Sequence, residues 1–341
     1  MIGDVERYDR CRPLGFGGAA VGNLFEAVSD DQAEATIAAA LAAGLTYIDT
    51  APHYGFGLSE KRIGRALATL DPAARTIVST KVGRSLVPTP DADLDRMRQA
   101  FITPEPFESR FDYSYDAVMR SFDDSCRRLG RERIDILYAH DLGRATHGDA
   151  HPAMLAAFLD GGYRAMRSLR DDGRVGAIGL GVNEWQVCVE TMAAAEIDVI
   201  LLAGRYTLLE QSPLDAFFPA CAARGVAVMI GGPYNSGILA AGTRGTAHYD
   251  YGAVPPEVMA RVAALERVCD AHGVPLAAAA LHFPLAHPQV VSVIAGLKNP
   301  SEVRQATALM ASPIPPALWR DLQDEGLLRR DALTPTQPLV A

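Results

Sequence analysis

Residues 44–67 read Gly-Leu-Thr-Tyr-Ile-Asp-Thr-Ala-Pro-His-Tyr-Gly-Phe-Gly-Leu-Ser-Glu-Lys-Arg-Ile-Gly-Arg-Ala-Leu. The stretch opens as a short apolar strand that ends at Asp49 and continues through a loop that carries Tyr54. It then enters a helix for which Ser59 is the predicted N-cap. An acid at a strand end, followed by a tyrosine before the next helix, is typical of the βα-loops that carry chemistry in α/β proteins. Taken alone, the pattern is also compatible with a loop-capping aspartate and a surface tyrosine.

Two other predicted strands end on ionisable side chains. The strand at Thr76–Thr80 leads to Lys81, and the strand at Ile134–Ala139 leads to His140. Because the carboxyl ends of parallel strands meet at one face of a barrel, we expect these side chains to converge with Asp49 and Tyr54.

The order and context of these four residues resemble the aldo-keto reductases. The resemblance rests on Asp49-Thr50-Ala51, Tyr54-Gly55, Ser59-Glu60 and Ile63-Gly64, followed by Lys81 and His140, and it extends over residues 14–311. It implies an NAD(P)-dependent oxidoreductase whose catalytic residues are Asp49, Tyr54, Lys81 and His140.

The rest of the chain alternates apolar strands with helices, and the pattern contains eight such units. Alternation of this kind predicts a parallel sheet covered by helices, and eight units favour closure. We therefore expect an α/β protein with a (β/α)8 TIM barrel, in a single domain that spans residues 1–341. Residues 83–113 contain four prolines and no clear period, and are predicted to form a long loop over the substrate. Residues 152–172 are predicted to form one helix.

Bulk composition excludes several functional classes. The net charge is −9 and the pI is near 5.4, which argues against binding to nucleic acid or to an anionic membrane surface. No apolar run is long enough for a membrane span. The five scattered cysteines indicate reduced thiols and a cytoplasmic location. The sequence leaves the oligomeric state open.

The four convergent residues suggest a division of labour, which is what the resemblance implies. Tyr54 is the expected general acid and base, because the ammonium of Lys81 should lower the pKa of its phenol. Asp49 holds Lys81 charged and oriented, and His140 orients the substrate oxygen as a neutral imidazole. No metal is expected, because the pair His147 and His151 lacks a third ligand at credible spacing.

The resemblance also implies a nicotinamide cofactor. The predicted cofactor-binding residues are Gly18, Ala19, Asp49, Asn183, Gly231, Tyr234, Ser236, Gly296, Lys298 and Glu302. Asn183 matches the position that holds the carboxamide, whereas Val182, Ala203 and Gly231 depart from the usual family pattern.

Cofactor choice depends on a predicted helix start, with Asn299 as N-cap and Pro300 as the first helical residue. A carboxylate at Glu302 would repel a 2′-phosphate and could accept a hydrogen bond from a ribose 2′-hydroxyl. Lys298 has the opposite effect. We therefore expect NAD, with NADP possible.

The substrate is expected to be a small sugar or aldehyde. Residues 204–209 and 235–239 resemble a sugar-oxidising branch, which implies oxidation of the anomeric C1 of a free aldose (L-fucose, D-arabinose or a galactose-like sugar) to the aldonolactone. The predicted substrate contacts are Tyr54, His140, His53 and Trp185. Alternatives are pyridoxal 4-dehydrogenase and NADPH-dependent aldehyde or ketone reductase activity. A non-enzymatic nucleotide-binding subunit is disfavoured, because all four catalytic residue types are present.

Overall fold

The computed structural model describes residues 5–11, 13–245, 248–250 and 252–336, so both ends of the predicted 1–341 domain lie outside the described residues. The strands of the described chain are β1 (Leu14–Gly17), β2 (Tyr47–Asp49), β3 (Ile77–Val82), β4 (Arg84–Pro88), β5 (Phe107–Phe111), β6 (Ile134–His140), β7 (Val175–Val182), β8 (Val199–Ala203), β9 (Ala227–Gly231) and β10 (Val290–Gly296). The helices are α1 (Asp30–Ala42), α2 (Leu58–Leu70), α3 (Tyr115–Leu129), α4 (Arg144–His147), α5 (His151–Ala157), α6 (Tyr163–Asp171), α7 (Gln186–Ala194), α8 (Phe217–Arg224), α9 (Ile238–Ala241), α10 (Pro256–Ala271), α11 (Leu276–His282), α12 (Pro300–Met310) and α13 (Pro316–Asp324). In the described part of the chain, no helix combines the length and the apolar character that a membrane crossing requires.

The strands other than β4 and β5 form a closed barrel in the order β1-β10-β9-β8-β7-β6-β3-β2, and all neighbouring pairs are parallel. The predicted (β/α)8 barrel is therefore confirmed. The register sets Asp49 opposite Gly17, Lys81 opposite Tyr138 and His140 opposite Gly181. These residues lie at the carboxyl ends of their strands, as the strand-end argument requires.

Two layers of apolar packing surround the strands. One layer lies between the barrel and its helices and includes Phe16, Ile37, Phe122 and Leu202. The other fills the barrel interior with Tyr47, Tyr138 and Met229, and Tyr8 and Cys11 belong to the same cluster. Because the interior is filled by side chains, the open carboxyl end of the barrel is where a ligand can enter.

The helix starts agree with prediction at Asn299 and differ from it at Ser59. Asn299 caps α12 by accepting from Glu302 N at 2.9 Å, and Ser29 caps α1 by accepting from Gln32 N at 3.1 Å. The side chain of Gln32 donates to Lys298 O at 2.9 Å, which joins the start of α1 to the residue before the N-cap of α12. The predicted N-cap Ser59 is wrong, because α2 starts at Leu58 and its N-cap is Gly57 at φ 95°.

Ser59 instead lies in the first turn of α2, where it is fully buried. Its hydroxyl donates to Gly18 O at 2.8 Å and lies 2.8 Å from Thr50 Oγ1. These bonds tie the end of β1 to the loop that follows β2, which is the loop that carries Tyr54.

The predicted long loop at residues 83–113 is only partly irregular. Strands β4 and β5 pair antiparallel, with Arg84 opposite Phe111 and Pro88 opposite Phe107, and residues 89–106 connect them. The alternation in these strands was missed because proline and charged residues interrupt it. The hairpin follows β3 directly, so it lies at the same end of the barrel as Lys81.

The predicted helix at residues 152–172 is interrupted by a π-helical turn at Phe158–Gly162. A Cβ added at Gly161 would lie 2.8 Å from Tyr115 N, and one at Gly162 would lie 2.8 Å from Tyr113 O. The two glycines therefore allow this segment to pass close to the start of α3, and that close approach cannot be read from the helical period alone.

Candidate active site

Lys81 connects the aspartate and the tyrosine at the open end of the barrel. Its Nζ donates to Asp49 Oδ2 at 2.7 Å, to Thr50 O at 2.9 Å and to Tyr54 Oη at 3.1 Å. All three donors of the ammonium are used, and Lys81 is 1% exposed. A buried charge held this way is fixed in orientation, so the phenol oxygen is always close to a cation.

A chain of hydrogen-bonded hydroxyl groups inside the barrel supports the carboxylate of Asp49. Ser79 Oγ donates to Asp49 Oδ1 at 2.6 Å, Tyr47 Oη lies 2.9 Å from Ser79 Oγ, and Tyr138 Oη lies 3.1 Å from Tyr47 Oη. Burial raises the pKa values of Tyr47 and Tyr138, so both phenols are neutral. Both carboxylate oxygens of Asp49 therefore have a donor inside the barrel.

The pKa of Tyr54 differs in direction from the sequence expectation. Burial raises it well above the usual value, the carboxylates of Asp49 and Asp141 raise it further, and Arg84 opposes them. The ammonium of Lys81 adds little net positive field, because the opposite charge of Asp49 lies 2.7 Å away. The phenol is therefore protonated at neutral pH.

His140 lies beside the phenol, with its ring centre 5.9 Å from that of Tyr54. Burial lowers the pKa of its imidazole well below the usual range, and Lys81, Arg84 and His53 lower it further. The imidazole is neutral, as expected, and can donate one N–H. The structure thus brings together all four residues predicted to be catalytic.

A buried ion pair beside His140 was missed by sequence reasoning. Arg84 Nη1 lies 2.7 Å from Asp141 Oδ2, and Asn183 Nδ2 donates to Asp141 Oδ1 at 3.3 Å. The signals were present, since Asp141 follows His140 directly and Arg84 follows Lys81 by three residues. Their pairing depends on the hairpin returning over the barrel, which the sequence did not reveal.

Two cavities open at this end of the barrel. The larger has a volume of about 430 Å³ and runs from Tyr54 to Glu302, and the smaller has a volume of about 240 Å³ and lies under the hairpin. They share lining residues, which are Ala19, Leu24, Tyr54, Asn183, Leu201 and Ala203. Tyr54 therefore lies where the two spaces meet.

All ten residues predicted to bind cofactor line the larger cavity. Its wall leaves room for a ligand and offers it an acceptor: among the described residues, a Cβ added at Gly296 would meet no atom within 4 Å, and Asn235 Oδ1 is buried without a partner. The lining also includes Phe25, Glu26 and Asp250, which the sequence analysis did not select.

The far end of the larger cavity carries a compensated lysine. Lys298 Nζ lies 2.6 Å from Glu26 Oε2. The carboxylate of Glu302 accepts from Lys298 N at 2.9 Å and from Asn299 Nδ2 at 3.0 Å. The positive charge of Lys298 is therefore matched, and the carboxylate of Glu302 is held in place.

The predicted substrate residues separate into two groups. Tyr54, His140 and His53 line the smaller cavity, together with Arg84, Gln99 and Phe101. Trp185 is not among the residues that line either cavity, and its indole N–H donates to Ser212 Oγ at 3.1 Å. The substrate contact predicted for Trp185 therefore stays a prediction, and the structure gives its indole a different hydrogen-bond partner.

The sequence profile of the Aldo/keto reductase family matches residues 13–324, which is most of the chain. The chain belongs to the aldo/keto reductase family. Members of this family are oxidoreductases that use nicotinamide cofactors and act on small molecules.

Two curated relatives cover nearly the whole chain. A pyridoxal 4-dehydrogenase from Microbacterium luteolum is 42% identical over 325 residues, which are 92% of this chain and 94% of the relative. A D-threo-aldose 1-dehydrogenase from a Pseudomonas species is 40% identical over 319 residues, with the same two coverages of 92% and 94%.

A solved aldo-keto reductase from Bacillus halodurans, in its holo form, has a similar fold. Its TM-score is 0.72 at 22% identity, and the match covers 95% of this chain and 94% of that one. At that identity the likeness supports the barrel fold alone.

Proposed function

We propose that this aldo-keto reductase is an NAD-dependent dehydrogenase that oxidises the anomeric C1 of a free aldose, such as L-fucose, D-arabinose or a galactose-like sugar, to the aldonolactone. The observation that carries the proposal is the position of Tyr54, at the junction of an elongated cavity and a smaller polar one, 3.1 Å from Lys81 Nζ. The similarity to a D-threo-aldose 1-dehydrogenase supports the sugar substrate.

In this proposal Tyr54 removes the proton from the C1 hydroxyl, and His140 donates its N–H to the same oxygen. A base takes up a proton, so Tyr54 acts in this step as the phenolate, which Lys81 stabilises by donating to its oxygen while Asp49 keeps the ammonium in place. A nicotinamide bound in the larger cavity would accept the hydride and would add a positive charge near the phenol. In carbonyl reduction the protonated Tyr54 gives its proton instead.

We infer a preference for NAD from the far end of the larger cavity. Glu302 would repel a 2′-phosphate, and its oxygens can accept from a ribose 2′-hydroxyl. Lys298 does not offset that repulsion, because its positive charge is already paired with the carboxylate of Glu26. Replacing Glu302 with Arg should raise the ratio of kcat/KM for NADP to that for NAD, and an unchanged ratio would remove this argument.

The proposal is tested by following reduced nicotinamide by absorbance with NAD and a panel of L-fucose, D-arabinose, D-galactose and pyridoxal. Turnover of at least one sugar is expected. Tyr54→Phe should retain cofactor binding, measured by fluorescence titration, and lose at least a hundredfold in kcat, the usual scale for a general base. Full activity in Tyr54→Phe would refute the assigned role.

Oxidation of pyridoxal at its hemiacetal carbon is the second candidate function. It needs the same proton chemistry, and the 42% identity to a pyridoxal 4-dehydrogenase favours it. Pyridoxal turnover with no sugar turnover would select this alternative. NADPH-dependent aldehyde or ketone reduction is the third candidate. Cofactor binding without turnover of any substrate would indicate a non-enzymatic nucleotide-binding subunit, which the assembled site disfavours.

We also propose a cytoplasmic location. All five cysteines are free and buried, which supports a reducing cytoplasm.

A further inference from the structure

The smaller cavity contains a second imidazole, His53, whose role follows from its hydrogen bonds. Its ring centre lies 6.0 Å from that of His140 and 6.4 Å from that of Tyr54. With the Tyr54–His140 distance of 5.9 Å, the three rings form a nearly equilateral triangle around the place where a substrate oxygen would lie.

The hydrogen bonds of the hairpin assign the tautomer of His53. Gln99 Nε2 donates to Ser109 O at 3.2 Å, and because a carbonyl can only accept, this bond orients the amide. Gln99 Oε1 then faces Ser109 Oγ at 2.7 Å, so the serine hydroxyl must donate to it. Having donated its one proton, Ser109 Oγ can only accept from His53 Nδ1 at 2.8 Å.

His53 therefore carries its proton on Nδ1 and a lone pair on Nε2. Burial lowers the pKa of His53 to about 2, with Arg84 and Lys81 as further causes, so the ring stays neutral. In the described part of the chain, the hydrogen bond of the His53 side chain is the one through Nδ1. Its Nε2 is thus an unused acceptor on a residue that lines the cavity.

His140 has the opposite arrangement. Its Nε2 lies 3.5 Å from Asp141 Oδ2, which Arg84 contacts at 2.7 Å, while Nδ1 is buried and has no hydrogen-bond partner among the described residues. A neutral imidazole has one N–H, and a carboxylate beside Nε2 favours the proton on that nitrogen, because two lone pairs would repel. His140 is therefore a donor through Nε2.

We propose that His53 and His140 bind two neighbouring oxygens of one substrate, His53 as a hydrogen-bond acceptor and His140 as a donor. His140 donates to the reacting oxygen on C1, and His53 Nε2 accepts from a hydroxyl on the adjacent carbon. The favoured class is 2-hydroxy aldehydes in their cyclic hemiacetal form. This inference rests on the proposed aldose dehydrogenase function and adds the requirement for a hydroxyl at C2.

The kinetic test uses sugar pairs that differ only at C2: D-arabinose with 2-deoxy-D-ribose, and D-galactose with 2-deoxy-D-galactose. In the wild type we expect kcat/KM to be about tenfold higher for the hydroxylated member, the scale of one lost hydrogen bond in a polar site. His53→Phe should reduce this ratio to about one. Ser109→Ala keeps the imidazole but removes the acceptor that holds the proton on His53 Nδ1, so it should also lower the ratio.

Phe101→Leu is the matched control. Phe101 lines the same cavity and its ring centre lies 5.1 Å from that of His53, but it offers no hydrogen bond. This change should affect both members of a sugar pair alike and leave their ratio intact. A wild-type ratio near one, or a ratio that survives both His53→Phe and Ser109→Ala, would overturn the inference.

A structural readout separates this inference from the proposed function. Side-chain ¹⁵N NMR of the full-length protein should show His53 as the neutral Nδ1–H tautomer, and Ser109→Ala should shift it toward the Nε2–H form. A wild-type His53 protonated on Nε2 would overturn the inference even if sugars are oxidised. If no sugar is oxidised while the Nδ1–H tautomer is present, the aldose function fails and the acceptor at His53 stands.

Discussion

Removing the hydroxyl of Ser79 tests whether the buried hydrogen-bond chain supports the carboxylate of Asp49. Ser79 is fully buried, donates to Asp49 Oδ1 at 2.6 Å and lies 2.9 Å from Tyr47 Oη. In Ser79→Ala the carboxylate loses a short donor and water cannot replace it. Hydrogen bonds to charged groups contribute about 1.5–3 kcal/mol, so we expect the free energy of unfolding to fall by about 2 kcal/mol.

Ser292 provides a matched control, because it is also a fully buried strand serine in the barrel. Within the described residues, its hydroxyl hydrogen-bonds to two carbonyl oxygens, Pro13 O at 3.3 Å and Val293 O at 3.5 Å. Ser292→Ala removes the same atom without affecting a charge, so its cost should stay below about 1 kcal/mol. Denaturant unfolding of both variants, followed by circular dichroism, measures the difference.

A double-mutant cycle with Asp49→Asn isolates the charged part of the effect. If Ser79 acts through the carboxylate, Ser79→Ala should cost about 1 kcal/mol less in the Asp49→Asn background. The Ser79→Ala variant should also lower kcat more than it raises KM, because Lys81 is then held less rigidly. Equal losses in the two serine variants, together with an additive cycle, would show that the chain is ordinary core packing.

Three further predictions follow from the described geometry. Because burial raises the pKa of Tyr54, the rate of sugar oxidation should increase from about pH 7 to pH 10, while the rate of aldehyde reduction should stay constant. Stopped-flow rates in both directions measure the two profiles, and an oxidation rate that does not change with pH would contradict the prediction. Gly296→Ala should leave the melting temperature unchanged and weaken NAD binding, because the added Cβ points into the larger cavity. Gly162→Ala should lower the melting temperature, because its Cβ would lie 2.8 Å from Tyr113 O. Calorimetry and cofactor titration distinguish these two outcomes. His53 is neutral in the folded state, where its pKa is about 2, whereas an unfolded histidine titrates near about pH 6.5. Its contribution to stability is therefore present above about pH 6.5 and is lost as the pH falls. His53→Phe should reduce the slope of the unfolding free energy against pH by about 1.4 kcal/mol per pH unit, measured between about pH 6 and 4.

Sequence alone determined the barrel and the places in it of the four residues predicted to be catalytic. Apolar strands that alternate with helices close in only a few ways, and in a parallel barrel every strand ends at the same face. Asp49, Lys81 and His140 each end a strand or follow one directly, so their convergence follows from chain order. The cap formed by Asn299 was predictable for a similar reason, because it depends on residues three apart.

Only the tertiary structure decided the hydrogen-bond partners and the pKa values of these groups. The pairing of Arg84 with Asp141, the bond from His53 to Ser109 and the actual position of Ser59 all join segments that no short-range period connects. The pKa of Tyr54 moved opposite to expectation because burial and the carboxylates of Asp49 and Asp141 outweigh the lowering effect of Arg84. Such contacts depend on how the hairpin folds back over the barrel, and side-chain hydrogen bonds between segments far apart in sequence leave no local pattern to read.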